Sequence, residues 1–295
     1  MSGHIPVLCA ETLQQLQPQR GGLFVDCTVG LGGHSRALLE AGATRLLGLD
    51  RDPQAIAHAR EALAPFGDRV TLVHSDYRQL EDVLQAQGIE TIDGALADLG
   101  VSSMQFDAPG RGFSFMRDEP LDMRMDTSRG ETAADLIART PEGELADVIF
   151  QFGEERFSRR IARRIVEERR EQPIDTTGRL AAIVRRAIPY RGHQRIDPAT
   201  RTFQALRIWV NRELEGLDSF LATAVRRLRA GARLAVITFH SLEDRIVKHT
   251  FRALAQGEER LITVLTKKPI VPGLDEVEAN PRARSAKLRV AERLA

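Results

Sequence analysis

Four polar or glycine-rich segments each follow a short apolar stretch in the first hundred residues. The first is Asp26–Ser35, with glycines at positions 30, 32 and 33, and Asp50 follows about twenty residues later. His74–Tyr77 and Asp98 come after the next two apolar stretches. If the apolar stretches are parallel strands, all four segments lie at the edge where open α/β sheets bind ligands. The ordered set predicts a ligand site at that edge.

The residue types indicate what such a site could bind. Glycines after a strand let the backbone approach a ligand, and the next helix then presents free N–H groups. A carboxylate placed as Asp50 is can accept hydrogen bonds from the two hydroxyls of a ribose. Each feature also has a purely structural explanation. The glycines could form a tight turn, and Asp50 could begin the turn before a helix opened by Asp52 as N-cap and Pro53.

The elements that must position these residues alternate between strands and helices. Predicted strands are Gly22–Thr28, Arg45–Asp50, Val70–His74, Ile92–Leu99 and Arg233–Phe239, followed by two closing strands in LITVLTKK and SAKLRVAERL. This spacing predicts a parallel sheet with helices on both faces. Between about Met104 and Arg201 no strand is predicted, and helical segments rich in Arg and Glu take over, among them residues 142–170. A long helical stretch, Phe203–Leu228, leads back to the sheet.

The order of elements separates two cofactor classes. A nicotinamide enzyme needs G-x-G-x-x-G, and the third required position is Ser35. The two adjacent closing strands favour a methyltransferase sheet with an antiparallel end. We therefore predict an α/β fold of the class I S-adenosylmethionine-dependent methyltransferase type, Rossmann-like, with an inserted all-helical domain. Residues 1–103 and 205–295 form the cofactor domain, and residues 104–204 form the insertion.

Composition excludes several other classes of protein. Hydrophobic residues make up 42% and charged residues 28% of the 295, as in ordinary globular proteins. No apolar run is long enough to cross a bilayer, and no signal pattern begins the sequence, so we expect a cytoplasmic protein. Cys9 and Cys27 are too few for a disulfide scaffold and are predicted to be buried thiols. No cluster of metal ligands with diagnostic spacing is present, so no metal site is predicted.

Charge is distributed unevenly along the chain. Residues 1–138 carry a net charge of −9, residues 139–212 carry +6, and residues 213–295 carry +4. Such an asymmetry suggests that the later part of the chain meets a polyanion. Solvated helix faces are the alternative explanation.

Nine segments resemble the ribosomal RNA small-subunit methyltransferase H family, also called RsmH or MraW. They occur in family order over nearly the whole chain: His4–Leu8, Gly30–Ser35, Asp50–Ile56, Asp98–Ser103, Arg111–Asp126, Phe152–Val166, Ala199–Asn211, Ile237–Lys248 and Ala279–Glu292. The resemblance implies methylation of the exocyclic N4 of one cytidine in the 16S rRNA of the small ribosomal subunit. It implies S-adenosyl-L-methionine as cofactor, bound by Gly32, Gly33, His34, Asp50, Tyr77, Asp98 and Gln105.

The alternative to this function is an S-adenosylmethionine-dependent methyltransferase that acts on another RNA or on a protein. A non-catalytic RNA-binding module on the same fold is disfavoured by the intact glycines, Asp50 and Asp98. The sequence leaves the oligomeric state open, and a homodimer is compatible with it.

Two residues are candidates for the chemistry at the amine. Hydrogen-bond acceptors on the N4 protons would favour attack and disperse the developing positive charge. Asp98 is predicted to supply such an acceptor beside the methyl group, although it could bind cofactor only. His240 could contact the base or relay a proton, or it could be a structural hydrogen-bonding group. Ser241 and Glu243 could cap and charge the first turn of the helix that follows.

Arginines in the predicted insertion are candidates for RNA binding. Arg159 and Arg163, with Arg160 and Arg164, lie at helical neighbour spacing and can form one stripe. The remaining predicted contacts are Arg111, Arg191, Arg195 and Arg201. In the loop Phe106–Asp126, Phe113 and Phe115 could stack on a flipped base, or they could pack the insertion onto the sheet.

Overall fold

A computed structural model describes residues 6–102, 105–106, 108–189, 196–257 and 259–295. The chain forms two compact units. The sheet unit consists of Met1–Gly100 and Leu214–Ala295, and the helical unit consists of Val101–Glu213. The sequence-based boundaries lie at 103/104 and 204/205. The units divide later on the return because the helix Ala199–Asn211 packs into the core of the helical unit.

Within the described part of the chain, seven strands form a single sheet. They are β1 (Leu23–Asp26), β2 (Arg45–Asp50), β3 (Val70–His74), β4 (Ile92–Asp98), β5 (Leu228–Thr238), β6 (Ile262–Val264) and β7 (Lys287–Arg293). The sheet order is β3-β2-β1-β4-β5-β7-β6. Strands β1 to β5 are parallel, and β7 runs antiparallel to both of its neighbours. This order, with its antiparallel end, confirms the predicted class I methyltransferase fold.

Helices are numbered along the chain. They are α1 (Cys9–Leu16), α2 (Gly33–Glu40), α3 (Pro53–Leu63), α4 (Leu80–Ala86), α5 (Ala133–Arg139), α6 (Glu142–Gly153), α7 (Ser158–Glu171), α8 (Thr177–Ala187), α9 (Ala199–Asn211), α10 (Leu217–Arg227), α11 (Ser241–Leu254) and α12 (Leu274–Ala279). Helices α5 to α9 belong to the helical unit. The others belong to the sheet unit.

Alternate residues of the central strands serve two separate cores. Phe24 and Leu46 face one core, which they share with α2 and α3. Val25 and Leu47 face the other, which they share with α4, α10 and α11. Because both faces are covered, these strands are apolar along their length rather than alternating with polar residues. The helices therefore fix the positions of the strand ends.

Two long stretches predicted as continuous helix are each broken into two helices. The stretch from residue 142 to 170 breaks at Glu154 (φ 50°), which ends α6 before α7 begins. The stretch Phe203–Leu228 breaks at Arg212 (φ 50°) and Gly216 (φ 67°), between α9 and α10. Left-handed backbone ends a right-handed helix, and outside glycine it has no strong sequence signal. By contrast, α3 begins as predicted, with the Asp52 side chain accepting a hydrogen bond from Gln54 N–H at 2.9 Å and Pro53 in the first turn.

Asn211 holds the loop 121–126 inside the helical unit. Its Oδ1 accepts a hydrogen bond from Met125 N–H at 2.8 Å, and its Nδ2 donates to Met123 O at 2.7 Å. Met123 is buried and has a left-handed backbone (φ 63°). The Asn211 amide thus satisfies backbone groups that a strained, buried loop cannot pair with itself.

Among the described residues, none of the helices combines the length and the apolar character that crossing a membrane requires.

Replacing Asn211 by Leu should destabilise the helical unit by about 2–4 kcal/mol, because two buried backbone groups lose their partners. Urea unfolding of the purified protein measures the effect, with each unit followed as a separate transition if two are seen. Gln151→Ala, on the exposed side of α6, is the control and should change stability by less than about 0.5 kcal/mol. An Asn211→Leu protein as stable as this control would contradict the role given to the amide.

Candidate active site

Carboxylates gather at the carboxyl edge of the sheet, where β1, β2 and β4 end. Asp26, Asp50 and Asp98 are the last residues of these three strands, which lie side by side. The parallel register brings their ends to one edge. Among the described residues, no arginine or lysine forms an ion pair with any of the three. The edge is therefore strongly acidic and built to meet positive charge or hydrogen-bond donors.

A glycine turn connects β1 to α2 at this edge. Gly30 (φ 52°) and Gly32 (φ 83°) are left-handed, and Gly32 caps α2 without any side-chain hydrogen bond. A Cβ on Gly33 would lie 2.7 Å from Pro6 Cγ, so close packing excludes a larger residue there. Glycine is thus required at position 32 by backbone conformation and at position 33 by space. The turn leaves the first N–H groups of α2 without a side-chain cap.

Asp50 is tied to the glycine turn by its carboxylate. Oδ2 accepts a hydrogen bond from Gly30 N–H at 2.8 Å, and Oδ1 accepts one from Asp52 N–H at 2.9 Å. Burial nevertheless raises the pKa of Asp50 to about 6. Each oxygen has a further lone pair, so the carboxylate can still accept hydrogen bonds from a ligand. The structural and the ligand-binding interpretations of Asp50 are therefore compatible.

Asp26 is an additional carboxylate that was not singled out from the sequence. It is almost completely buried, and its Oδ2 accepts a hydrogen bond from Ser35 Oγ at 2.7 Å. Thr28 N–H donates to Oδ1 at 3.2 Å. Burial raises the pKa of Asp26 to about 6. Asp26 ends β1 as Asp50 and Asp98 end their strands. This shared position is the feature of the sequence that could have identified Asp26 as a site residue.

Asp98 has the least satisfied carboxylate of the three. Its backbone N–H donates to Thr28 Oγ1 at 2.7 Å, which fixes the end of β4. Oδ2 lies 3.7 Å from His34 Nε2, whereas the buried Oδ1 has no hydrogen-bond partner among the described residues. Burial raises the pKa of Asp98 well above its usual range, and the nearby charges of Asp26 and Glu243 raise it further. A buried carboxylate oxygen without a partner is costly, and a ligand that donates a hydrogen bond would satisfy it.

Tyr77 and Asp76 follow β3 and are held by neighbours within the sheet unit. The Tyr77 ring lies 4.7 Å from the Phe220 ring, between centroids, at a tilt of 54°. Asp76 is buried, and Arg78 binds both of its carboxylate oxygens, at 2.8 and 2.6 Å. Burial would raise the pKa of Asp76, but the hydrogen bonds from Arg78 and the charge of Arg51 lower it. The Asp76 carboxylate is thus occupied, and the partly exposed Tyr77 ring is the more available ligand contact.

His240 serves as the N-cap of α11, a position that the sequence suggested for Ser241. Its Nδ1 accepts a hydrogen bond from Glu243 N–H at 3.4 Å, and its Nε2 lies 3.1 Å from Glu243 Oε1. Glu243 is buried and also accepts a hydrogen bond from Phe239 N–H at 3.1 Å. His240 and Glu243 therefore hold the turn between β5 and α11. The first-turn position predicted for Glu243 is observed.

Gln105 belongs to the helical unit and is buried there. Its Oε1 accepts a hydrogen bond from Ser102 N–H at 3.0 Å, and Ser102 Oγ accepts one from Gln105 N–H at 3.2 Å. This reciprocal pair ties Ser102 to Gln105.

Arginines of α7 form an exposed stripe on the helical unit. Ile161 and Ile165 point into the core, whereas the four arginines predicted to share a face are all exposed: Arg159, Arg160, Arg163 and Arg164. Arg163 lies 3.7 Å from Glu142, and Arg164 pairs with Glu167 and Glu168. Arg201, on α9, is exposed and lies 3.9 Å from Glu155. Arg191 and Arg195 lie outside the described residues.

Arg111 is not on this surface, contrary to the prediction that it contacts RNA. Only 6% of it is exposed, and its Nη2 donates to the backbone oxygens of Arg124 and Met125 at 3.1 and 2.9 Å. Its guanidinium also lies 5.8 Å from the centre of the Phe113 ring. Arg111 holds the loop of the helical unit together. Phe113 and Phe115 pack with the core of that unit.

Comparison with known proteins identifies the family. Residues 1–294 match the sequence profile of the MraW methylase family. The chain belongs to this family. A relative from Geotalea uraniireducens, named ribosomal RNA small subunit methyltransferase H, is 50% identical over 308 residues, covering 99% of this chain and 98% of the relative. A relative of the same name from Cyanothece sp. is 54% identical over 292 residues, covering 99% of this chain and 95% of the relative.

Solved structures with similar architecture include an rRNA methylase from Streptococcus thermophilus. Its TM-score is 0.44 at 13% identity, with 99% of this chain and 100% of that chain covered.

The family and the fold make the chain a methyltransferase with S-adenosylmethionine as methyl donor. The residues of the sheet unit fit this group in two respects. The donor is a cation with ribose hydroxyls, and the edge offers three carboxylates that form no ion pair with an arginine or lysine of the described chain. Asp98 Oδ1, which has no hydrogen-bond partner among the described residues, provides a further acceptor for a ligand.

Cofactor affinity should fall as the pH is lowered from 7 to 5. Asp26 and Asp50 have pKa values raised to about 6 in the free protein, so they are mainly ionised at pH 7 and mainly protonated at pH 5. Protonation removes negative charge and hydrogen-bond acceptors from the site. If one of these groups must be ionised for the cofactor to bind, its protonation at pH 5 weakens the affinity about tenfold. Isothermal titration calorimetry with S-adenosylmethionine measures the effect. Asp50→Asn should bind more weakly at pH 7 and show a flatter pH profile, whereas an unchanged profile would contradict the assignment.

Proposed function

We propose that this protein transfers a methyl group to the exocyclic N4 of one cytidine in the 16S rRNA of the small ribosomal subunit. The name of its relatives supports a substrate in small-subunit ribosomal RNA. The motifs that resemble the methyltransferase H family support the cytidine amine as the group that accepts the methyl group. The unsatisfied Asp98 carboxylate at the sheet edge is the observation that carries the chemistry. A cytoplasmic location belongs to this proposal, and the homodimer stays a prediction.

Cofactor binding is assigned to the residues that the resemblance indicated. S-adenosylmethionine supplies an electrophilic methyl group when it is bound. Asp50 accepts hydrogen bonds from the ribose hydroxyls, and Tyr77 offers its ring to the adenine. Gly32, Gly33 and His34 form the start of α2 and are assigned to the cofactor by the resemblance. Gln105 of the helical unit completes the proposed set.

Asp98 is proposed to accept the proton that the cytosine amine must lose. The N4 lone pair is delocalised into the ring, so the amine becomes nucleophilic only as it turns tetrahedral. A carboxylate that accepts an N4–H hydrogen bond favours this geometry. As the N4–carbon bond formed, the bond between the methyl carbon and the donor's sulfur would break with its electron pair left on sulfur. Positive charge would develop on N4, and one N4 proton would pass to Asp98. Burial and two neighbouring carboxylates raise the pKa of Asp98, which makes its ionised form a stronger base than an exposed aspartate.

His240 is given a structural role in this proposal. Both of its ring nitrogens lie against Glu243, and it caps α11. Proton transfer at the amine is therefore assigned to Asp98 alone.

RNA binding is assigned to the exposed arginines of the helical unit: Arg159, Arg160, Arg163 and Arg201, with Arg191 and Arg195 kept as predictions. Such side chains contact phosphates and position RNA without reading its sequence. Arg159 and Arg160 make no ion pair with the described residues, so their charges are not neutralised within the protein.

The reaction is tested with small ribosomal subunits that lack the modification. Purified protein transfers labelled methyl from S-adenosylmethionine, the RNA is digested, and the nucleosides are separated by mass spectrometry. Label in N4-methylcytidine supports the proposal. Label in another nucleoside, or in ribosomal protein, would show that the proposed substrate is wrong, while the assignment as a methyltransferase would stand.

Asp98→Asn should lower kcat about 100-fold or more, because the amide cannot take up the amine proton. Binding of S-adenosylmethionine should weaken much less, since an amide keeps the shape of the carboxylate side chain. In the unsubstituted protein, kcat should rise with pH as Asp98 ionises, and Asp98→Asn should abolish that rise. A large loss of cofactor affinity with little change in kcat would instead assign Asp98 to cofactor binding only.

Arg159→Gln combined with Arg160→Gln should weaken RNA binding and its salt dependence. Each lost phosphate contact reduces the slope of log K against log salt by about 0.7 to 0.9. Fluorescence anisotropy with a labelled 16S rRNA fragment, repeated over a series of KCl concentrations, measures both quantities. Arg36→Gln, which removes an exposed arginine of the sheet unit that already pairs with Glu40, is the control. An unchanged slope in the double variant would exclude α7 from the RNA surface.

A further inference from the structure

Positive charge in the sheet unit is concentrated in its second segment. Residues 1–100 carry a net charge of −6, whereas residues 214–295 carry +5. The acidic carboxyl edge described above belongs mainly to the first segment. The basic residues of the second segment have so far been given no function.

Helix α11 collects part of this charge on one exposed face. Arg245, Lys248, His249 and Arg252 are all exposed and are spaced three or four residues apart, so they form one stripe on the helix surface. We call these four residues the α11 stripe. The opposite side of the helix, with Val247 and Phe251, is buried in the core of the sheet unit. The packing of α11 therefore fixes the direction in which the stripe faces.

The acids of α11 do not neutralise this stripe. Glu243 is buried and bonded to the turn before the helix. Asp244 is bound by Lys287 at 3.2 Å and by Arg289 at 2.6 Å. Among the described residues, Lys248 and Arg252 have no carboxylate within ion-pair distance. Two fixed positive charges on the stripe are therefore available to an external anion.

Helix energetics account for only part of the pattern. A cation in the last turn interacts favourably with the helix dipole, which explains Arg252. Lys248 lies in the middle of the helix, where the dipole gives no such benefit. Repulsion between like charges three or four residues apart also destabilises the isolated helix slightly. The stripe thus lacks a full explanation in the stability of α11.

We infer that the α11 stripe binds the phosphate backbone of the RNA substrate, so that the sheet unit makes its own RNA contact in addition to that of the helical unit. The inference rests on the proposed function, because it takes RNA as the substrate. Regularly spaced cations on a helix match the repeating charge of a nucleic-acid backbone. Such contacts carry no base specificity, and they would add affinity and orientation while leaving the choice of base to the active site.

The test combines Lys248→Gln with Arg252→Gln. Both side chains are exposed, so the fold should be retained, and circular dichroism together with S-adenosylmethionine binding verifies this. Binding of a fluorescein-labelled single-stranded 16S rRNA fragment is measured from 0.05 to 1 M KCl. Loss of two phosphate contacts should reduce the salt slope by about 1.4 and the affinity at 0.1 M salt by roughly 10- to 30-fold. The variant and the unsubstituted protein should converge near 1 M salt.

The matched control is Arg20→Gln combined with Arg60→Gln. It removes the same charge from exposed positions of the same unit, and Arg60 lies on α3, which packs on the opposite face of the sheet from α11. The control should keep nearly the full slope and affinity. Equal losses in both variants would show a general charge effect and overturn the inference.

Methyl transfer to small ribosomal subunits separates this inference from the proposed function. In the Lys248→Gln, Arg252→Gln variant, KM for the subunit should rise about tenfold or more, while kcat at saturation stays within about twofold. If this variant still methylates its RNA with unchanged KM and unchanged RNA binding, the inference about the α11 stripe is refuted while the proposed function stands. Failure of the unsubstituted protein to bind or methylate RNA would refute the proposed function, and the inference with it.

Discussion

The burial of carboxylates at the end of a parallel sheet is the constraint on which the rest of the site depends. Raising the pKa of Asp26 to about 6 corresponds to roughly 3 kcal/mol against its ionised form. Backbone N–H groups and hydroxyls, rather than cations, offset part of this cost. The left-handed glycine turn directs Gly30 N–H toward the Asp50 carboxylate. Thr28 links the ends of β1 and β4 through its hydrogen bonds to Asp26 and Asp98. The glycine turn, the ends of the strands and the buried carboxylates therefore depend on one another.

Arginines in this chain perform two unrelated tasks that composition does not separate. Arg111 and Arg207 lie inside the helical unit, where one satisfies loop carbonyls and the other pairs with Glu213 through two hydrogen bonds of 2.9 and 2.8 Å. The arginines of α7 cover the outside of the same unit. Only the second group adds to a surface that could attract a polyanion. A net charge of +6 for residues 139–212 therefore does not measure the strength of such a surface.

Much of the sheet could be predicted from the sequence because buried parallel strands are continuous apolar runs between turns. The bounds of β2 and β3 were predicted to the residue, and the site carboxylates Asp50 and Asp98 followed from their places at strand ends. What the sequence could not show depends on tertiary contacts. The burial of Arg111 and the breaks at Glu154 and Arg212 involve partners distant in the chain or backbone conformations without a local signal. The cap formed by His240 is local, since its partner Glu243 lies three residues away. Asp26 was within reach, since it ends its strand as the other two do.

The insertion of the helical unit between β4 and β5 has a consequence for the order of events during synthesis. Strand β4 pairs with β5, yet the whole of Val101–Glu213 must be synthesised before β5 is made, which takes roughly 10 s at ordinary elongation rates. During that time the hydrogen-bonding edge of β4 has no strand beside it. The sheet is completed only by β7, which is made after β6 and enters between β5 and β6. A nascent chain of this protein thus holds a half-built sheet beside a helical unit that is already complete, and premature release would expose that edge to other chains.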